Sequence, residues 1–185
     1  MERRTSDLDL NIEYDTDYRD IKFPRLEFKT GKLLLVLPNN YKKRKQLLEK
    51  HKKWISDKNA IIEIAKRKAK NKDLSPKSDD LLKSYIRKFA DKYSEDFQAF
   101  PNQIFFRKMN SKWGSCSPKR NLTFNTMMKY LPKNLIEYVT LHEFAHLIEK
   151  KHTERFWNII SQEFEDYKKK EKELLVYWFL VQDLK

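Results

Sequence analysis

Apolar residues alternate with polar ones at Ile21 and Phe23 and again at Leu26 and Phe28, a period of about two that predicts a strand over 20–30, broken at Pro24. Lys32–Leu37 follows as a continuous apolar run, the pattern of a strand covered on both faces, and Gly31 between the two marks a turn. Pro38-Asn39-Asn40 stops the run. From Tyr41 to about Asn71 the spacing becomes helical: Leu47, Trp54, Ile55, Ile61, Ile62 and Ala65 recur with lysines between them. Asp73-Leu74-Ser75-Pro76 breaks this helix and starts another, with Ser75 as its cap and Pro76 at a tolerated first position. Leu81, Leu82, Tyr85, Ile86, Phe89 and Tyr93 form its apolar stripe, and Pro101 closes it.

Gln103–Met109 predicts a short strand with Leu122–Asn125 as its hairpin partner, across a segment of turn-forming residues from Asn110 to Asn121. Pro132 to Lys150 is expected to be helical, Lys151–His152 a turn, and Thr153 the cap of a helix reaching about Lys170. Glu171–Leu184 reads as a last helix or a strand-like tail. A hairpin, helices, a second hairpin and more helices give an α+β fold rather than a parallel βαβ array. The length suits one domain over 1–185. It comprises an N-terminal hairpin (1–40), a basic helical segment (41–100) and a core that carries the chemistry (101–185).

Composition narrows this picture. With 39% hydrophobic and 14% aromatic residues spread along the chain, a packed core is affordable and global disorder is excluded. A single cysteine, Cys116, excludes an internal disulfide and suits a reducing compartment. The longest apolar runs, Leu33–Leu37 and Leu174–Val181, fall well short of the roughly 20 residues of a membrane span. Met1–Asp20 lacks the apolar segment of a secretory leader, so the expectation is a cytoplasmic protein with no membrane partner. Of the +13 net charge, much lies between Tyr41 and Lys72, where 13 Lys/Arg face three acids. A solvated helix face accounts for this density; a nucleic-acid or polyphosphate surface accounts for it too.

The chemistry is concentrated in Tyr138-Val-Thr-Leu-His-Glu-Phe-Ala-His-Leu-Ile-Glu-Lys-Lys-His152. His142 and His146 are four apart, which puts both rings on one helix face, one turn apart. Two imidazoles so placed can hold one Zn2+, and Glu143, displaced from that face, is a general base rather than a ligand. His152 follows where the helix ends and offers a third imidazole. Three protein ligands leave a fourth position for water, the arrangement of a catalytic zinc. A hydrogen-bonded core network is the competing reading, but a buried Glu beside two buried His is costly without a metal to compensate it. Three of only four histidines fall within these eleven residues. The fourth, His51, sits in the basic helix as a surface residue.

Two strings resemble the YgjP-like zinc metallopeptidase family, relatives of the SprT-like proteases within the zincins. One is Arg107-Lys-Met-Asn-Ser-Lys-Trp-Gly-Ser-Cys-Ser117 followed by Leu122-Thr-Phe-Asn125; the other is the histidine string continued as Thr153-Glu-Arg-Phe-Trp157. Weaker similarity reaches the N-terminal hairpin and Lys53-Trp54-Ile55. The resemblance implies a minimal zincin-like fold, one Zn2+ per chain on His142, His146 and His152, catalysis by Glu143, and a hairpin around Trp113-Gly114 beside the metal helix. The histidine spacing also matches the metzincins, but Glu149 stands where those have glycine and no methionine turn follows His152. Thr153 replaces the serine the family often has, which still suits a cap.

Gly114 provides either a special backbone conformation or a close approach that a side chain would block. Arg107 and Ser115 are candidates to face substrate, and Trp113 is either a substrate contact or a packing anchor. Cys116 as a fourth ligand would leave Glu143 without a role. Phe156 and Trp157 are expected to hold His152 in place. The leading function is a metallopeptidase acting on a peptide or protein. A metal-dependent nucleoside triphosphate pyrophosphatase, whose phosphates the 41–72 segment would neutralise, is the alternative. A third reading is a protease tethered to nucleic acid through that segment.

Overall fold

In the computed structural model, β4 (Lys32–Pro38) buries every residue from Leu33 to Leu37, as its unbroken apolar run predicts. The structure describes residues 2–4, 12–182 and 184. The part of the expected 1–40 hairpin that falls on residues 1 and 5–11 lies outside them. By its internal contacts the chain divides into two units, 1–67 and 68–185, and the boundary falls within a helix.

In the first unit, β1 (Glu2–Arg4), β2 (Tyr14–Arg19), β3 (Arg25–Lys29) and β4 form one sheet in the order β1-β2-β4-β3. The expected hairpin is present as the antiparallel β3–β4 pair, turning through Thr30 and Gly31, both at positive φ (50° and 81°). Gly31 takes that conformation without steric cost. β2 was not expected, because Tyr-Asp-Thr-Asp-Tyr-Arg is polar; it pairs parallel to β4 and buries Tyr14 and Thr16 on alternate positions. The single helix expected over 41–71 is two, α1 (Arg44–Lys50) and α2 (Lys52–Lys70), parted at His51. Leu48 and Ile55 pack with Tyr14, Leu33, Leu35 and Leu37 to make this unit's core.

In the second unit, α3 (Asp79–Phe97) begins later than Ser75-Pro76 suggests. Ser78 is the cap, its Oγ accepting from Leu81 N–H at 3.1 Å, and Asp79 and Asp80 favour the positive helix end. The helix ends at Gln98, in the left-handed region (φ 49°), before Pro101 can act. The second expected hairpin is replaced by a three-stranded sheet. β5 (Gln103–Arg107) pairs parallel to β7 (Asn121–Asn125), and the antiparallel partner of β7 is β6 (Gly114–Cys116), so the order is β5-β7-β6. A 3-10 turn (Thr126–Tyr130) leads into α4 (Lys133–Ala145), followed by α5 (Glu154–Glu163) and α6 (Tyr167–Gln182). The helix expected from Thr153 to about Lys170 is thus broken at Phe164, and the open reading of the tail resolves as helix.

α4 is apolar on nearly every side and accordingly sits inside the unit. Leu135, Ile136, Leu141, Phe144 and Ala145 have no exposed surface, and Tyr93, Phe97 and Phe144 form an aromatic cluster between α3 and α4. The mixed helices and two small sheets make an α+β protein. No helix among the described residues is long and apolar enough to cross a membrane.

Candidate active site

His142 lies in the last turn of α4 and His146 caps its C-terminus. The helix stops at Ala145, short of the expected Lys150. The N–H groups of Leu147, Ile148 and Glu149 turn back to the carbonyls of Phe144 and Ala145, which swings the chain round toward α5. This early turn brings His152 to the other two rings. Among the described residues, His142, His146 and His152 form one cluster of metal-binding type, with ligand atoms all within 4.8 Å of one another.

The rings are poised as nitrogen donors. His146 Nδ1 is 3.1 Å from the Glu149 carbonyl oxygen, so Nδ1–H donates there and Nε2 keeps its lone pair for the cluster. His142 Nε2 and His152 Nε2 are 3.1 Å apart. Two nitrogens bound tetrahedrally to one zinc at ~2.0–2.1 Å stand about 3.3–3.4 Å apart, so small ring movements suffice to accept an ion. Burial, with help from the other two imidazoles, pushes the His142 pKa down to about 3, and burial also lowers that of His146. Rings kept neutral are what a metal requires. The donor set therefore fits zinc.

A wall of aromatic rings backs the cluster. Phe156, with no exposed surface, lies 4.6–5.0 Å between centroids from all three histidines. Trp157 stacks on His152 (5.6 Å, 24°) with one face and on Tyr167 (4.9 Å, 21°) with the other. Thr153 begins α5 through its extended backbone, with no side-chain cap bond.

Glu143 is 7% exposed. Burial raises its pKa to about 7, opposed by the charge of Lys112 and by the backbone N–H of Cys116, which donates to the carboxylate. The sheet supplies that N–H. Asn125 N–H donates to the Trp113 carbonyl (2.8 Å) and Ser117 N–H to the Asn121 carbonyl (2.9 Å), so odd-numbered residues of this strand bond to β7. The N–H and C=O groups of Gly114 and Cys116 then point away from β7, at the sheet edge. Gly114 meets Glu143 directly. A Cβ built at Gly114 would fall 2.8 Å from Glu143 Cδ and Oε1 and would overlap Cγ outright. Of the two roles open to this glycine, close approach is the one the contacts require.

The remaining candidates are scattered. Ser115 is half-buried opposite Thr123, and by strand alternation its side chain takes the face opposite Gly114 and Cys116. Trp113 packs edge-on against Trp178 (5.1 Å, 89°). Arg107 is exposed at the end of β5, across β7 from β6, its guanidinium 5.9 Å from the Phe105 ring centre. Cys116 Sγ donates to the Ser117 carbonyl (3.6 Å); burial raises its pKa against the nearby cations Lys150 and Arg120.

Two further residues shape the site: Asn125, which ends one of the strings that carry the resemblance but has no role assigned to it there, and Arg120, which nothing in the sequence marks. Asn125 has no exposed surface and makes four hydrogen bonds. Its Oδ1 accepts from Met109 N–H (3.2 Å) and Met127 N–H (3.1 Å), and its Nδ2 donates to the carbonyls of Met109 and Lys112 (both 2.9 Å). The loop before Gly114 is thereby fixed. Arg120, at φ 59°, donates from Nη1 to the Leu147 carbonyl beyond α4 (3.3 Å) and from Nε and Nη2 to Phe100 O (3.3 and 3.1 Å).

No curated protein matches the chain. Among solved structures it is similar to the metallopeptidase zymogen jannalysin of Methanocaldococcus jannaschii. That match has 24% identity and a TM-score of 0.44, and covers 54% of this chain and 97% of that one. It is also similar to the zymogen abylysin of Pyrococcus abyssi, at 18% identity and a TM-score of 0.43, covering 48% and 88%. The profile of the YgjP-like family, metallopeptidase domain, matches residues 66–176, which span the helical approach, the three-stranded sheet, α4 and its histidines. The chain belongs to the YgjP-like metallopeptidase family.

Proposed function

We propose that the protein is a zinc-dependent peptidase in which His142, His146 and His152 hold one ion and Glu143 is the general base. The observation that carries this reading is the convergence of three imidazoles, two of them at the C-terminal end of the helix that carries a buried carboxyl. A bound divalent ion supplies Lewis acidity there, acidifying water and polarising a carbonyl. Glu143 carries the proton. It takes one from the attacking water and returns it to the amide nitrogen as the peptide bond breaks.

The chain holds that carboxyl on two sides, through the Cys116 N–H and through contact with Gly114, so its reach is set before substrate arrives. Phe156, Trp157 and Tyr167 keep water from the rear of the imidazoles. The outer edge of β6 runs beside Glu143, and an extended peptide has there a strand to lie along.

The test is to load the purified protein with zinc and assay denatured casein. Glu143→Gln is expected to retain one zinc per chain by elemental analysis and to lose about 10²-fold or more of the hydrolysis rate. Cleavage by Glu143→Gln at the original rate would remove Glu143 from the mechanism.

A further inference from the structure

From Phe97 through Ile136, the forty positions that form β5, β6, β7 and the approach to α4, there is no Asp or Glu. The same stretch holds seven cations: Arg107, Lys108, Lys112, Lys119, Arg120, Lys129 and Lys133. Along α2 and α3 lysines are interleaved with acids and often pair with acids, as in Lys66–Glu63 (2.8 Å) and Lys92–Glu163 (2.7 Å), and of the seven cations Lys129 pairs with Asp79 (3.2 Å). The three-stranded sheet thus lies in the longest stretch of this chain without carboxylates, and that stretch builds one side of the site.

Two lysines bring this charge to the reacting position. Lys112 is exposed and precedes Gly114 by two residues; its backbone is pinned through its carbonyl to Asn125 Nδ2. Gly114 in turn abuts Glu143. Lys150 lies exposed on the turn after α4, next to Glu149, whose carbonyl takes the His146 Nδ1–H. One cation therefore stands on the sheet side of the site and one on the helix-turn side. Neither enters an ion pair among the described residues. The half-buried acid of that turn, Glu149, accepts instead from the Lys151 N–H at 3.1 Å. The overall +13 attracts any anion from a distance, but salt screens such attraction beyond about 8 Å. Cations at the site itself act inside that length.

We propose that the site selects peptides carrying Asp or Glu close to the scissile bond, with Lys112 and Lys150 receiving the substrate carboxylates on its two sides. This specificity rests on the peptidase reading above. It uses the positive charge of two exposed lysines at the rim of the site, which the carboxylates of the substrate would complement.

The experiment uses the zinc-loaded full chain and three quenched fluorescent peptides that share a neutral centre and are flanked by Glu, Ala or Lys. With two charge pairs each worth about threefold, kcat/KM for the Glu-flanked peptide is expected to exceed that for the Lys-flanked one by about tenfold at physiological salt. The order should invert in the double variant Lys112→Glu, Lys150→Glu. It should persist in Lys88→Glu, which makes the charge change of each single substitution on the exposed face of α3. Equal rates for the three peptides would overturn the proposal. A second arm measures binding of the labelled peptides to Glu143→Gln by fluorescence anisotropy, where no turnover is needed. If no peptide is cleaved, yet the Glu-flanked one binds tighter and loses that advantage in the charge-reversed protein, acidic recognition stands and the peptidase reading falls. A nucleoside triphosphate that displaces the Glu-flanked peptide and is itself hydrolysed would overturn the assignment to peptides.

Discussion

Gly114→Ala tests the architecture of the site with a single methyl group. The backbone there is not in the left-handed region, since the positive-φ glycine of the chain is Gly31. Alanine is therefore acceptable to the local conformation, and its smaller unfolded-state entropy stabilises by ~0.4–1 kcal/mol. Against this, the new Cβ overlaps Glu143 Cγ and lies 2.8 Å from Cδ and Oε1. β6 cannot recede, because it is bonded to β7 on its inner side and the loop before it is locked by Asn125. α4 cannot recede either, because residues 138–141 and 143–145 are buried in the core. The Glu143 side chain must rotate, giving up the Cys116 N–H. Overpacking of this kind costs about 1–3 kcal/mol, and a hydrogen bond to a charged group is worth about 1.5–3. The entropy gain loses, and Gly114→Ala should destabilise by about 2 kcal/mol. More telling is the split between properties. The histidines are untouched, so on the proposed mechanism zinc stoichiometry should stay at one per chain, while kcat falls by roughly 10²-fold because the proposed general base is displaced. Urea unfolding, elemental analysis and steady-state peptide hydrolysis read the three quantities. A Gly114→Ala protein with kcat within threefold of the parent would show that this contact does not position Glu143.

Asn125→Ala removes four hydrogen bonds at once and leaves the Met109, Lys112 and Met127 backbone groups without that partner. A loss of about 3 kcal/mol in urea unfolding is expected, and a loss below 1 kcal/mol would mean that the loop is held by other contacts. Trp157→Leu takes away the ring sandwiched between His152 and Tyr167, so zinc affinity measured by chelator competition should weaken about tenfold. Unchanged affinity would make Trp157 a packing residue only.

What the sequence disclosed and what it withheld divide along physical lines. The spacing of His142 and His146 is meaningful on any helix, because four residues return the chain to the same face whatever surrounds it. β4 was equally plain, since five consecutive apolar residues demand burial. β2 was hidden because its side chains are polar, and parallel pairing to β4 is a tertiary event that periodicity does not encode. β6 is three small residues long, too short to register, so β5 was assigned the partner next in view and the pairing direction came out wrong. The end of α4 was misplaced for a similar reason. The guanidinium on its Leu147 carbonyl comes from Arg120, 27 residues upstream, where nothing marks it as a helix partner. The histidines read from local spacing converge, whereas Arg107 and Ser115, proposed to face substrate, were assigned without knowledge of which way each strand faces.

Arg120 has a consequence for how this protein can vary in length. Its left-handed backbone closes the tight turn between β6 and β7 while its side chain spans from Phe100 to the residue after His146. One inserted residue in that turn would shift the guanidinium by about the 3.3 Å rise of a strand, beyond hydrogen-bonding range of both carbonyls. Natural or engineered insertions should therefore be refused between Ser117 and Asn121, even though the turn lies at the surface, where extra residues are ordinarily accepted.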